Sequence, residues 1–137
     1  MSISTPTSPT TTTAPAKITP GRVTLAALGA LVANLIVFAI ATASDVSFDV
    51  ESPQPLNALG IAVASVVPIA LGALVVALVA RRWPAFQQFA AWAGLVFALV
   101  TVAGSFVASG DLATALTLSA MHVVVGVAWF LAVRRTH

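Results

Sequence analysis

Residues 112–133 read LATALTLSAMHVVVGVAWFLAV, and this stretch decides the class of the chain. It carries no charge, and it is longer than the about 20 residues, at about 1.5 Å rise each, that a helix needs to cross a bilayer. Valine is frequent in it. A lone strand of this length would nevertheless leave its backbone polar groups unpaired in hydrocarbon, whereas a helix satisfies its own. Three further runs share these properties, at 23–43, 57–80 and 89–108. The composition of the whole chain agrees with them. Of 137 residues, 59% are hydrophobic and 7% are charged, against about 25% charged in a soluble domain. A surface so poor in charge is solvated by lipid. The expected fold is therefore all-α and integral to a membrane, with four antiparallel transmembrane helices in an up-down-up-down bundle.

The segments between the runs are polar and turn-forming. SDVSFDVESPQP (Ser44–Pro55) is acidic and proline-bearing. RRWP (Arg81–Pro84) separates the second and third runs, with Pro84 suited to the first turn of a helix. In SGD (Ser109–Asp111), Gly110 suits the left-handed conformation after a helix and Asp111 suits the cap of the next one. Residues 1–20, MSISTPTSPTTTTAPAKITP, are mostly Ser, Thr and Pro, a composition that cannot offset the entropy of ordering. They are expected to form a disordered tail, with residues 21–137 as the transmembrane domain. Ser2 stands where a myristoylated chain has glycine.

The charges give an orientation. Lys17 and Arg22 precede the first run, Arg81 and Arg82 separate the second and third, and Arg134 and Arg135 follow the fourth. In a four-pass chain all six lie on one side. Asp45, Asp49, Glu51 and Asp111 all lie on the other. The positive-inside rule then places both termini in the cytoplasm, with the chain in the plasma (inner) membrane. Trp83 and Trp129 fall near the basic flanks, as an interfacial aromatic belt would, while Trp92 lies deeper. ATA at Ala41–Ala43 has the look of a signal-peptidase site, but the apolar run before it exceeds the roughly 7–15 residues of a signal-peptide core. The expectation is that the first run is kept as a span.

Few polar residues enter the spans. Asn34 is twelve residues from Arg22, and His122 is twelve from Arg134. Both thus lie about 18 Å from the basic boundary, near the midplane. Pro68 is at nearly the same depth. Lacking an N–H, it deprives the carbonyl of Ala64 of its helical partner. The Asn34 amide, the His122 ring and the Ser65 hydroxyl are the donors that a bundle interior would offer it. Ser119 and Gly126 share the His122 face. Asn34, Ser65, Pro68, Ser119 and His122 are therefore expected to form an intramembrane polar layer. Small residues recur every four positions at Gly60, Ala64, Pro68 and Gly72, again at Ala90, Gly94 and Ala98, and at Ala26 and Ala30, a spacing that lets helices approach closely. An ionisable residue at membrane depth is a functional hypothesis by default. Histidine is its mildest case, because its ordinary pKa near 6.5 leaves it neutral at pH 7. The expected role of His122 is a neutral hydrogen-bonding one, with a titrating role as its rival.

Other chemistry is missing. There is no Cys and no Tyr, which excludes disulfides and thiolate sites. No acid lies in a span, so neither a carboxylate-driven antiporter nor a Ser-His-Asp set can assemble. One midplane His does not make a bis-His haem site without a second copy of the chain. The acids of the 44–55 segment match no calcium loop, and solvation is their expected role. No catalytic site, metal or cofactor is expected. The formal charge of +2 comes without a basic patch set with aromatics, so no nucleic-acid partner is expected either.

Two segments carry a resemblance. RVTLAALGALVANLIV (Arg22–Val37) and LTLSAMHVVVGVAWFLAVRR (Leu116–Arg135) resemble the first and last spans of a group of small four-span bacterial membrane proteins. That group is mostly actinobacterial and is known as a domain of unknown function. The resemblance covers roughly residues 20–135. It implies a four-helix membrane fold with Asn34 and His122 as its characteristic polar positions, and it implies no activity. The expected function is non-enzymatic: a small structural or accessory membrane protein acting through helix–helix contacts. The rival reading is a subunit of a small oligomeric transporter or channel built on the His122/Asn34 layer. The expected partners are the lipid bilayer and either another membrane protein or a second copy of the chain.

Overall fold

The computed structural model describes residues 18–50 and 56–135. Most of the tail expected to be disordered lies outside the described residues. Four helices make up the fold: α1 (Pro20–Ala43), α2 (Ala58–Ala80), α3 (Phe86–Ala108) and α4 (Leu112–Val133). Each is long and apolar enough to cross a membrane. Among the described residues no strand forms, only one isolated antiparallel bridge between Val50 and Ser109.

Local chemistry explains where each helix begins. Pro20 opens α1, three residues before the apolar run, because its fixed φ and missing N–H fit the first helical position. Asn57 caps α2, its side chain accepting from the Gly60 N–H at 2.8 Å. Asp111 caps α4 in the same way, accepting from the Thr114 N–H at 2.8 Å. Two expectations are corrected. Pro84 is not in the first turn of α3. It sits at the second position of a turn closed by Phe86 N–H donating to the Trp83 carbonyl at 3.0 Å, the position its φ favours. Gly110 is not left-handed, since no glycine in the described residues has positive φ. Its missing side chain serves another purpose: a Cβ there would lie 2.5 Å from Asp49 Oδ2.

The chain ends of the helices meet in two groups. At one end Arg22 and Arg134 line a common concavity, and Arg135 Nη2 donates to the Pro84 carbonyl. At the other, Ser47 Oγ donates to Asp111 Oδ2 at 2.5 Å, and Gly110 N–H donates to the Asp49 carbonyl at 3.0 Å. These are called the basic and acidic ends below. The α3–α4 pair packs most extensively, α1 lies against both α2 and α4, α2 meets α3 only sparingly, and α1 and α3 do not touch. The core runs from the middle of α2, where Ile69 is buried, toward the basic end, where Val76, Ala90, Ala91, Ala128 and Ala132 are buried. Outside it, large apolar side chains such as Leu25, Leu71, Phe89 and Val100 are exposed on every helix. Water would not tolerate such a surface, and lipid requires it.

Lipid also explains the hydrogen bonding. Hydroxyls within the helices turn back to their own backbone: Ser65 to the Ile61 carbonyl, Thr101 to Ala98, Thr117 to Ala113 and Ser119 to Ala115. Only a few side chains reach across. Among them, Gln87 is buried in the first turn of α3, and its Nε2 donates to the Val133 carbonyl at 2.9 Å, satisfying an acceptor that the end of α4 leaves open.

The acidic end is more than a solvated loop. Asp111 accepts from Ser47 Oγ, Thr114 Oγ1 and Thr114 N–H together. Phe48 is held at φ 50, in the left-handed region that a bulky residue seldom enters, with its ring 5.1 Å from that of Phe38. The Ser47 hydrogen bond, followed by those from Thr114, lowers the Asp111 pKa to about 2. A carboxylate whose folded pKa is depressed stabilises the fold above its unfolded value and loses that contribution as pH falls through the folded one. The clasp between residue 47 and α4 is therefore expected to persist down to the ordinary carboxylate range and to be lost as pH falls from about 4 to about 2. Ser47→Ala should move the Asp111 titration upward in a carboxyl NMR experiment. An unchanged titration would show that the serine does not hold it.

Candidate functional site

The sparing contact between α2 and α3 leaves a cavity of about 480 Å³, walled by α2, α3 and α4 with Asn34 contributed by α1. Its origin is the spacing of small residues. Gly60, Ala64, Pro68 and Gly72 all line it, as do Gly94 and Ala98 opposite. The expectation that these stripes bring helices together is corrected for α2, where they make room. Close approach occurs between α3 and α4, where a Cβ on Gly126 would lie 2.6 Å from that of Ala98.

Trp129 bounds the cavity toward the basic end. It was expected in an interfacial belt. Instead its ring turns into the bundle, and its Nε1–H donates to the Ala90 carbonyl at 2.9 Å. Gly72 and Gly94 admit it. A Cβ would fall 2.5 Å from the ring at the first and 2.0 Å at the second. Trp83, by contrast, is exposed as a belt residue would be. On the other side the cavity is open. Gly60, Ala64, Pro68 and Phe97 all line it and are all exposed, so the α2–α3 gap leads sideways to the lipid-facing surface.

The polar groups of the cavity are few. Asn34 is only 2% exposed and Ser65 1%. Asn34 Nδ2 donates to Ser65 Oγ at 2.9 Å, and Ser65 Oγ donates on to the Ile61 carbonyl at 2.7 Å. Asn34 Oδ1 is buried and accepts no hydrogen bond. His122 is half-buried on α4, and its Nδ1 lies 2.8 Å from the Leu118 carbonyl. A carbonyl only accepts, so Nδ1 is the donor in this contact. His122 is the one titratable side chain among those lining the cavity.

Four of the five expected layer residues thus line one cavity: Asn34, Ser65, Pro68 and His122. Ser119 does not line it, being buried and bonded within α4. The bonding within the layer also differs from expectation. None of the three side chains proposed for the Ala64 carbonyl serves it, because a nearer carbonyl or hydroxyl engages each one. In particular, His122 bonds within its own helix and not to Asn34. Equal depth in the sequence indicated the Asn34 level. The Trp129 plug was not legible, because a tryptophan near a basic flank has the same sequence signature whether it faces lipid or the interior.

Comparison with known proteins gives one match: the model of a family of unknown function (DUF6069) covers residues 14–137. No curated protein and no solved structure matches the chain.

Proposed function

The chain belongs to the DUF6069 family of unknown function, and from its own geometry we propose that it is a non-enzymatic accessory protein of the membrane that holds a lipid-soluble molecule in the cavity between α2, α3 and α4. The observation that carries this reading is a mainly apolar cavity that opens toward lipid and has Asn34 among its few polar lining residues, with the Asn34 Oδ1 acceptor buried and without a donor. Leaving a buried acceptor unmade costs about 1–3 kcal/mol. A ligand bearing a hydroxyl or N–H donor would recover that cost, and its apolar body would fill a volume within the usual range for small-molecule sites. The accessory role is then exercised through what the bundle holds. Transport across the membrane by the same layer is the second reading. Trp129 and the packed core beneath it stand in the way of a continuous path, so that reading needs a further movement.

The probe for this reading is a naphthol and its methyl ether, which differ in the donor alone. In the full-length protein in nanodiscs, the naphthol should raise the unfolding temperature clearly more than the ether does. Equal effects would overturn a donor-reading site. We further propose, from the segregation of Arg81 and Arg82 from Asp45, Asp49 and Asp111, that the basic end faces the cytoplasm of a bacterial cell. The chain has no cysteine, so Asp49→Cys and Arg82→Cys each introduce a single thiol. The first should react with an impermeant maleimide on intact cells and the second should not. The opposite pattern would invert the topology.

A further inference from the structure

A second concavity, of about 640 Å³, runs between α1 and α4 and shares no lining residue with the cavity. Its walls are apolar, with Ala26 and Gly29 on α1 facing Val124 and Val127 on α4, and Arg22 and Arg134 stand at its basic end. We propose that this groove binds one anionic phospholipid, its phosphate held between Arg22 and Arg134 and an acyl chain lying along the groove. The proposal does not depend on the cavity or its ligand.

Three observations support it. The first is charge. Arg22 and Arg134 line the same end of the groove with like charge, and Arg22 is half-buried. Among the described residues every acid lies at the far end of the bundle, and none pairs with either arginine. A phosphate between them offsets the like charge and suits two guanidinium forks. The second is length. From Arg22 to Ala30 the groove follows α1 for about 12 Å, and from Arg134 to Val123 it follows α4 for about 17 Å. One leaflet is about 15 Å deep, half of the hydrocarbon core. A phosphate at the arginines therefore leaves the chain in the matching leaflet. The third is shape. Ala26 and Gly29 lower the α1 wall, and a Cβ on Gly29 would meet nothing within 4 Å, so the open volume reaches the backbone. Basic pockets between transmembrane helices are a recurrent headgroup site.

The full-length protein in neutral detergent provides the test, read by native mass spectrometry and by thermal unfolding. Phosphatidylglycerol should remain as one adduct per chain and raise the unfolding temperature. Phosphatidylcholine and inorganic phosphate should do neither. Arg22→Gln with Arg134→Gln should weaken phosphatidylglycerol binding by about tenfold or more, whereas Arg81→Gln with Arg82→Gln, at the same end but outside the groove, should not. Gly29→Leu fills the groove with both charges intact and should weaken binding too, which keeps the test decisive if the arginine pair is needed for folding. Equal binding of the two lipids, equal losses from the two arginine pairs, or stabilisation by phosphate alone would overturn the proposal. So would a lipid-free dimer that Gly29→Leu disrupts, since a second copy of the chain would then occupy the groove.

Discussion

Trp129→Ala is expected to cost about 3 kcal/mol of bundle stability, the low end of the range for truncating a large aromatic in a packed interior. The low end applies because lipid, and not water, surrounds the bundle, so the transfer contribution shrinks while the dispersion contacts are still lost. The ring touches three helices at once: it belongs to α4, lies on Gly72 of α2 and Gly94 of α3, and donates to the Ala90 carbonyl. Trp129→Phe keeps most of the ring and gives up that donor, so it should cost nearer 1 kcal/mol. The reciprocal change is Gly94→Val. A Cβ at Gly94 would lie 2.0 Å from Trp129 Nε1, so the ring must leave or the helices must part, at about 1–3 kcal/mol. Residues in contact do not add. Gly94→Val in a Trp129→Ala background should therefore cost much less than in the native chain. Reversible unfolding in mixed detergent measures all four variants. Additive losses would show that the ring does not occupy the glycine notch.

These contacts mark how far the sequence could be read. The four spans followed from length and from the absence of charge, because hydrocarbon leaves a chain few choices. The Asn57 and Asp111 positions carried their capping chemistry openly, and Asn34, Pro68 and His122 stood out by depth. Direction was harder to read. A small residue every four positions means close packing in α3 and open volume in α2, and only the separation of the helices decides which. The third apolar run begins beyond Gln87, yet that side chain is buried, satisfying the end of α4. The Ser47–Asp111 clasp joins residues 64 positions apart, a pairing no local pattern announces. The bonding of His122 was missed for a related reason. Every polar side chain in a lipid-exposed helix has a carbonyl of its own turn within reach, and that carbonyl competes with any partner across the bundle.

Asn34→Leu is expected to separate stability from binding. Two interactions change in the ligand-free protein. The Asn34–Ser65 hydrogen bond is lost, and such interhelical bonds average about 0.6 kcal/mol in membranes. The unmade acceptor at Oδ1 is also removed, a relief of about 1–3 kcal/mol. Ser65 keeps its own acceptor in the Ile61 carbonyl, so no donor is stranded. Leucine keeps the branching of asparagine, and the cavity that Asn34 lines takes up its larger volume. The balance predicts a protein as stable as the native one or more stable by about 1 kcal/mol. The naphthol should then lose its advantage over its methyl ether, because the group that reads the donor has gone. If Asn34 serves only to join α1 to α2, the opposite holds: Asn34→Leu would lower stability, and the probes would behave alike before and after the change. His122→Leu provides the internal contrast. It removes a bond within a single helix and leaves Asn34 in place, so the preference for the donor should survive it.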